Sequence, residues 1–112
     1  MPRPDAPPTS LVTFTGTLQP LKTNTHTFSV TQSGYVFVTL LALDAPAGTT
    51  VQLTIGTPAT DGSCTAAYSV TTGPGPTAQM SGTGLAGTLC VAITDTGRLA
   101  APALYTITVA TS

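Results

Sequence analysis

The feature that most restricts how this chain can fold is a two-residue alternation of apolar and hydroxyl side chains. Turn residues interrupt it about every eight to twelve positions. Successive side chains of an extended backbone point to opposite faces, so this pattern encodes strands with one face buried and one solvated. From Leu11 to Leu18, Val12, Phe14, Gly16 and Leu18 share one face while Thr13, Thr15 and Thr17 share the other. Gln19-Pro20-Leu21-Lys22 turns the chain, and Thr25 to Thr31 sets His26, Phe28 and Val30 inward. Tyr35 to Leu43 is apolar on both faces, which predicts a central strand and puts Tyr35 in the core. Val51, Leu53 and Ile55 make the next inward row. Further strands are predicted over about Cys64 to Thr72, more weakly over Thr77 to Ser81, and over Thr88 to Thr94 with Leu89, Val91 and Ile93 inward. Ala103 to Ala110 closes the set with Tyr105, Ile107 and Val109 inward. About eight strands and no helical segment predict an all-β antiparallel sandwich or small barrel, one domain over 11–112. A Pro-rich arm occupies residues 1–10.

Composition sharpens the exclusions. The 112 residues include 25 Thr, 11 Gly and 10 Pro but only 3 Lys+Arg, 4 Asp and no Glu, so 6% are charged. An average domain carries about 25%. A helical bundle does not fit so much Thr, Gly and Pro, and a net charge of -1 with ordinary apolar content does not fit a charge-rich disordered chain. Arg3, Lys22 and Arg98 cannot build a phosphate-binding surface, which argues against nucleic acid. The longest apolar run, Tyr35 to Leu43, is too short for a membrane-spanning helix. The segment Met1 to Pro8 has no hydrophobic export-signal core. Either a leader has been trimmed or the chain is not exported by that route. Pro2, Arg3, Pro4, Pro7 and Pro8 read as an extended tether and as a candidate interaction arm.

The two cysteines, Cys64 and Cys90, favour a disulfide in a small all-β chain; two buried free thiols are the alternative. A bridge of this span contributes roughly 3 kcal/mol in the chain-entropy account. It would place the protein in an oxidising, extracytoplasmic setting, secreted or on a cell or particle surface. Two Cys and the single His26 do not supply a zinc site. Paired-carboxylate catalysis would need two of the loop residues Asp44, Asp61 and Asp95 to converge. The same three are the weak calcium candidates, although each serves equally well in an Asx-turn at a strand end, the favoured reading. His26, flanked by threonines, reads as a packed or edge histidine rather than a general base. Gly82-Thr83-Gly84-Leu85-Ala86-Gly87 mimics a dinucleotide loop but opens no helix, so it is a turn. The expectation is a non-enzymatic protein without a cofactor. Carbohydrate binding usually needs an exposed aromatic platform. With no Trp, and with Tyr35, Tyr68 and Tyr105 all at core positions, the sequence argues against it. The rows Thr13-x-Thr15-x-Thr17, Thr23-x-Thr25-x-Thr27 and Thr106-x-Thr108 resemble ice-binding surfaces, yet Thr is simply a good residue for a solvated strand face.

Gly84 to Gly97 followed by Tyr105-Thr106-Ile107-Thr108-Val109 resembles the bacterial pre-peptidase C-terminal domain, with its glycine-led strand, acidic loop and closing tyrosine strand. Phe14 to Leu18, His26 to Val30 and Gly34 to Val38 are similar to that family's opening strands, so the resemblance spans residues 11 to 110. Ile55-Gly56-Thr57-Pro58 with Cys64, and Gly87 to Leu99 with Cys90, look like a Cys-containing subgroup of small secreted bacterial proteins and lipoproteins. The resemblance implies a jelly-roll-like β-sandwich without catalysis, one that aids secretion, folding or substrate attachment; some members bind calcium. Here Gly48-Thr49-Thr50-Val51-Gln52-Leu53 stands where the family carries its acidic calcium motif. Two roles follow as expectations. One is an accessory or adhesion-type module acting through its surface on a protein or surface partner. The other is a structural subunit of a surface filament or phage-particle decoration, self-associating through the arm or open strand edges.

Overall fold

The computed structural model describes residues 10–30, 33–84 and 86–111; the arm residues Pro2, Arg3, Pro4, Pro7 and Pro8 lie outside that range. Eight strands follow in order: β1 (Ser10–Leu18), β2 (Thr23–Val30), β3 (Gly34–Leu43), β4 (Val51–Pro58), β5 (Cys64–Thr72), β6 (Met80–Gly84), β7 (Gly87–Thr94) and β8 (Ala103–Thr111). They form two antiparallel four-stranded sheets, a front sheet ordered β1-β8-β3-β6 and a back sheet ordered β2-β7-β4-β5. Consecutive strands cross between the sheets except at β4–β5, which gives the double wrapping of a jelly roll. The core between the sheets is the inward half of the alternation. Leu18, Leu40, Leu53, Ile93 and Ile107 are completely buried, and Val36, Val38, Val51, Val91 and Val109 fill the spaces among them.

Two departures from the sequence expectation have local causes. Strand β6 covers Met80–Gly84 rather than Thr77 to Ser81. The Gln79 side chain takes the place of a strand residue there, accepting from the Leu40 N–H at 2.7 Å and donating to the Leu40 carbonyl at 3.1 Å. Strand β3 is central in the hydrogen-bonding direction, flanked by β8 and β6. A two-layer sandwich nevertheless buries only one face of any strand. Its outer face is therefore open: Tyr35 is 60% exposed, Phe37 40% and Leu41 47%. A bulge between Leu40 and Ala42 leaves both Leu41 and Ala42 exposed and returns Leu43 to the core.

Cys64 and Cys90 are joined in a disulfide, with Cα atoms 5.8 Å apart. The bridge ties β5 to β7 across the intervening β4, and residue 56 of β4 makes this possible. Gly56 pairs with Cys90 on one side and, through a bulge, with Ala66 on the other. A Cβ on Gly56 would collide with the Thr65 carbonyl. The bare backbone there lets the start of β5 fold over β4 and reach the fully buried Cys90.

Candidate functional site

The loop aspartates do structural work at separate turns. The Asp61 carboxylate accepts from the Ser63 hydroxyl at 2.6 Å and the Ser63 N–H at 3.0 Å, which hold it below the usual carboxylate range. Asp95, 3% exposed, accepts from the Leu21 N–H at 2.8 Å on one oxygen. Its other oxygen accepts from Gly97, Arg98 and Leu99 at 3.1, 2.8 and 3.1 Å. Desolvation pushes this carboxyl up, and the four N–H donors outweigh it, leaving the group below its ordinary value. Three of the four donors converge on Oδ1 and one on Oδ2, which makes the carboxylate a brace of its loop. The same contact ties the β7–β8 loop to Leu21, which adopts a left-handed φ of 60° in the β1–β2 turn. Asp44 is exposed at the end of β3, its N–H bonded to the Leu104 carbonyl at 2.8 Å. Among the described residues no group of three or more His, Cys, Asp or Glu is placed to hold a metal ion.

His26 belongs to a polar bridge that joins β1, β2 and β8. Its ring stacks on Phe14 with centroids 4.7 Å apart, and its Nε2 lies 2.6 Å from the Tyr105 hydroxyl. Asn24 Nδ2 donates to that hydroxyl at 3.0 Å and to the Thr17 carbonyl at 2.9 Å. Burial holds the imidazole below its usual range. A neutral ring accepts the Tyr105 proton on Nε2, while the Tyr105 oxygen accepts from Asn24. Tyr105 is 2% exposed, as expected from its inward position in β8. The bridge is a buried brace.

Between the edge strands β5 and β6 an apolar cavity of about 190 Å³ is lined by Val36, Ile55, Leu89 and the Tyr68 ring, with Gly56 and Gly82 leaving it open. Tyr68 faces inward opposite Ile55 yet remains 46% exposed at this open side, so it too departs from the expected core position. No charged side chain lines the cavity.

The largest organised surface is the outer face of the front sheet. None of the eight strands contains Asp, Glu, Lys or Arg. Both outer faces are therefore uncharged, but they are not equivalent. Of the seven large hydrophobics exposed among the described residues, Leu11, Tyr35, Phe37, Leu41 and Leu104 lie on the front face, while Leu21 is in a turn and Tyr68 is at the cavity. The back face shows Thr25, Thr27, Ser29, Thr88 and Thr94 and no large apolar side chain. On the front face the rows run Leu11–Ala110–Phe37–Ser81 and Thr13–Thr108–Thr39 across the strands. Tyr35 and Phe37 stack along β3 with centroids 6.2 Å apart and planes 26° from parallel. The sequence reading missed this face. Its signal was present in the double-sided apolar run of β3, which in a two-layer fold has to leave one side bare. The chain matches no family model and no curated protein.

Proposed function

We propose that the chain is a non-enzymatic, extracytoplasmic β-sandwich module that acts by binding, through the outer face of its front sheet. The observation that carries this reading is the concentration of Leu11, Tyr35, Phe37, Leu41 and Leu104 on one uncharged face. Leu11, Tyr35 and Phe37 share one end of the face, and Leu41 and Leu104 lie beyond the Thr13–Thr108–Thr39 row. Exposed apolar side chains gathered on one face in this way mark contact surfaces. The Cys64–Cys90 bridge supports an oxidising setting. The accessory role is the one implied by the sequence resemblance to pre-peptidase C-terminal domains. Paired lysine substitutions test it. Thr15→Lys with Thr106→Lys should weaken retention on a phenyl matrix, and Thr25→Lys with Thr88→Lys on the back face should not. Equal effects from both pairs would overturn it.

A second reading, a self-assembling structural subunit, is favoured by the absence of charge from every strand. A neutral face opposes its own copy with no repulsion. Light scattering across a concentration series decides it: mass that rises with concentration and is reset to monomer by the front-face lysines supports assembly, and constant monomer mass refutes it.

A further inference from the structure

The Tyr35–Phe37 end of the front face points to a neutral glycan as the ligand, and we propose that this aromatic pair is a carbohydrate-binding platform. The inference rests on the front face being the binding face and names the ligand class for it. Both rings stand on the same side of β3, exposed and stacked 6.2 Å apart. Among the described residues nothing large overhangs them: the cross-strand neighbours are Ser81 and Thr83 on β6 and Ala110 on β8. Each ring is thus paired in register with a hydroxyl, Tyr35 with Thr83 and Phe37 with Ser81, and both hydroxyl residues are exposed.

This alternation of ring and hydroxyl selects among ligand classes. An aromatic face carries partial negative charge and attracts the C–H bonds of a ring laid flat on it. A pyranose presents such C–H bonds on its faces and hydroxyls at its rim, which match the exposed rings of Tyr35 and Phe37 and the hydroxyls of Ser81 and Thr83 in register with them. A charged ligand finds no counter-charge, since no strand of this sheet carries one. A hydrocarbon chain would engage the two rings alone and leave the exposed hydroxyls of Ser81 and Thr83 to water. Neutral ligand and neutral face are complementary. Because β6 is the edge strand, the platform is open on its far side and accommodates a polymer that continues beyond the protein.

The test is an amide NMR titration of the intact chain with cellohexaose, chitohexaose and xylohexaose, with polygalacturonate as an anionic control. At least one neutral oligosaccharide should shift Tyr35, Phe37, Ser81 and Thr83 together, and polygalacturonate should not. Tyr35→Ala should weaken that binding about tenfold or more, whereas Tyr68→Ala, at the cavity, should leave it unchanged. No response to any of the three neutral glycans overturns the proposal. So does a response that maps elsewhere, that survives Tyr35→Ala, or that polygalacturonate matches. The lysine-pair chromatography above reads the front face without any sugar. A face that passes that test and binds no glycan therefore refutes the ligand assignment alone.

Discussion

Removing the Cys64–Cys90 bridge while keeping the buried sulfur in place isolates what the crosslink contributes. Cys64→Ser does this, because Cys64 is partly exposed at the start of β5 whereas Cys90 is completely buried. The bridge spans 26 residues. Constraining a loop of that length lowers unfolded-state entropy by an amount worth about 3.5 kcal/mol at 25 °C in the chain-entropy account. For a chain of 112 residues, whose unfolding entropy is of order 0.24 kcal/mol/K, that corresponds to a fall in Tm of about 15 °C. Urea unfolding followed by circular dichroism should show the midpoint falling with little change in slope. A chain with no ion pairs within its sheets has few other reserves, so the crosslink is a large share of a stability expected to total about 5–15 kcal/mol. A Tm within about 3 °C of the parent would refute the reasoning, because the unfolded chain would then already be held together by something other than the bridge.

Other outcomes follow from the same structure. Gly56→Ala, which drives a methyl into the Thr65 carbonyl where β5 crosses β4, should cost about 1–3 kcal/mol in denaturant unfolding and slow formation of the bridge. The folded-state pKa of His26 lies below its ordinary value of 6.5. Its contribution is therefore complete above pH 6.5 and is lost as pH falls from there through the folded-state value. Among the described residues the ring meets uncharged partners, Phe14 stacked on it and the Tyr105 hydroxyl at its Nε2. Thermal melts between pH 4 and 8 should show that loss in the parent and a flatter profile in His26→Gln. Asp95→Asn should lower Tm at neutral pH and remove an acid-limb decline, since a carboxyl depressed below 3.8 stabilises the fold above that pH and loses its effect as pH falls through the lowered value; equal melts for parent and variant at pH 7 would contradict the bracing role of Asp95.

Much of the fold is written in the alternation itself. Phe28, Val30, Ile93, Ile107 and Val109 reach the core in the phase their spacing dictates, and Cys64 begins β5 where the reading put it. The errors came from features that period-two patterning does not encode. The Gln79 amide stands in for a strand residue against Leu40 and displaces β6. Tyr35 and Phe37 are apolar enough to look buried, and only the layer count shows that their side of β3 faces water. The exposure of Tyr35, and of Tyr68 at the cavity, withdraws the part of the objection to a carbohydrate ligand that placed those rings inside. Leu21 shows the opposite limit: its left-handed backbone is held by Asp95, 74 residues away, a pairing no local pattern announces.

The contact role of the front face is tested most directly by an uncharged nitroxide added to the intact, isotopically labelled chain, with paramagnetic broadening read residue by residue. Such a probe dwells on exposed apolar surface, so residues beside the cavity at Tyr68 are left out of the comparison of the two faces. The account predicts strongest broadening at Leu11, Phe37, Leu41 and Leu104, with Thr25, Thr27 and Thr88 on the back face much less affected. Equal broadening of the two faces, or a maximum on the back face, would contradict it.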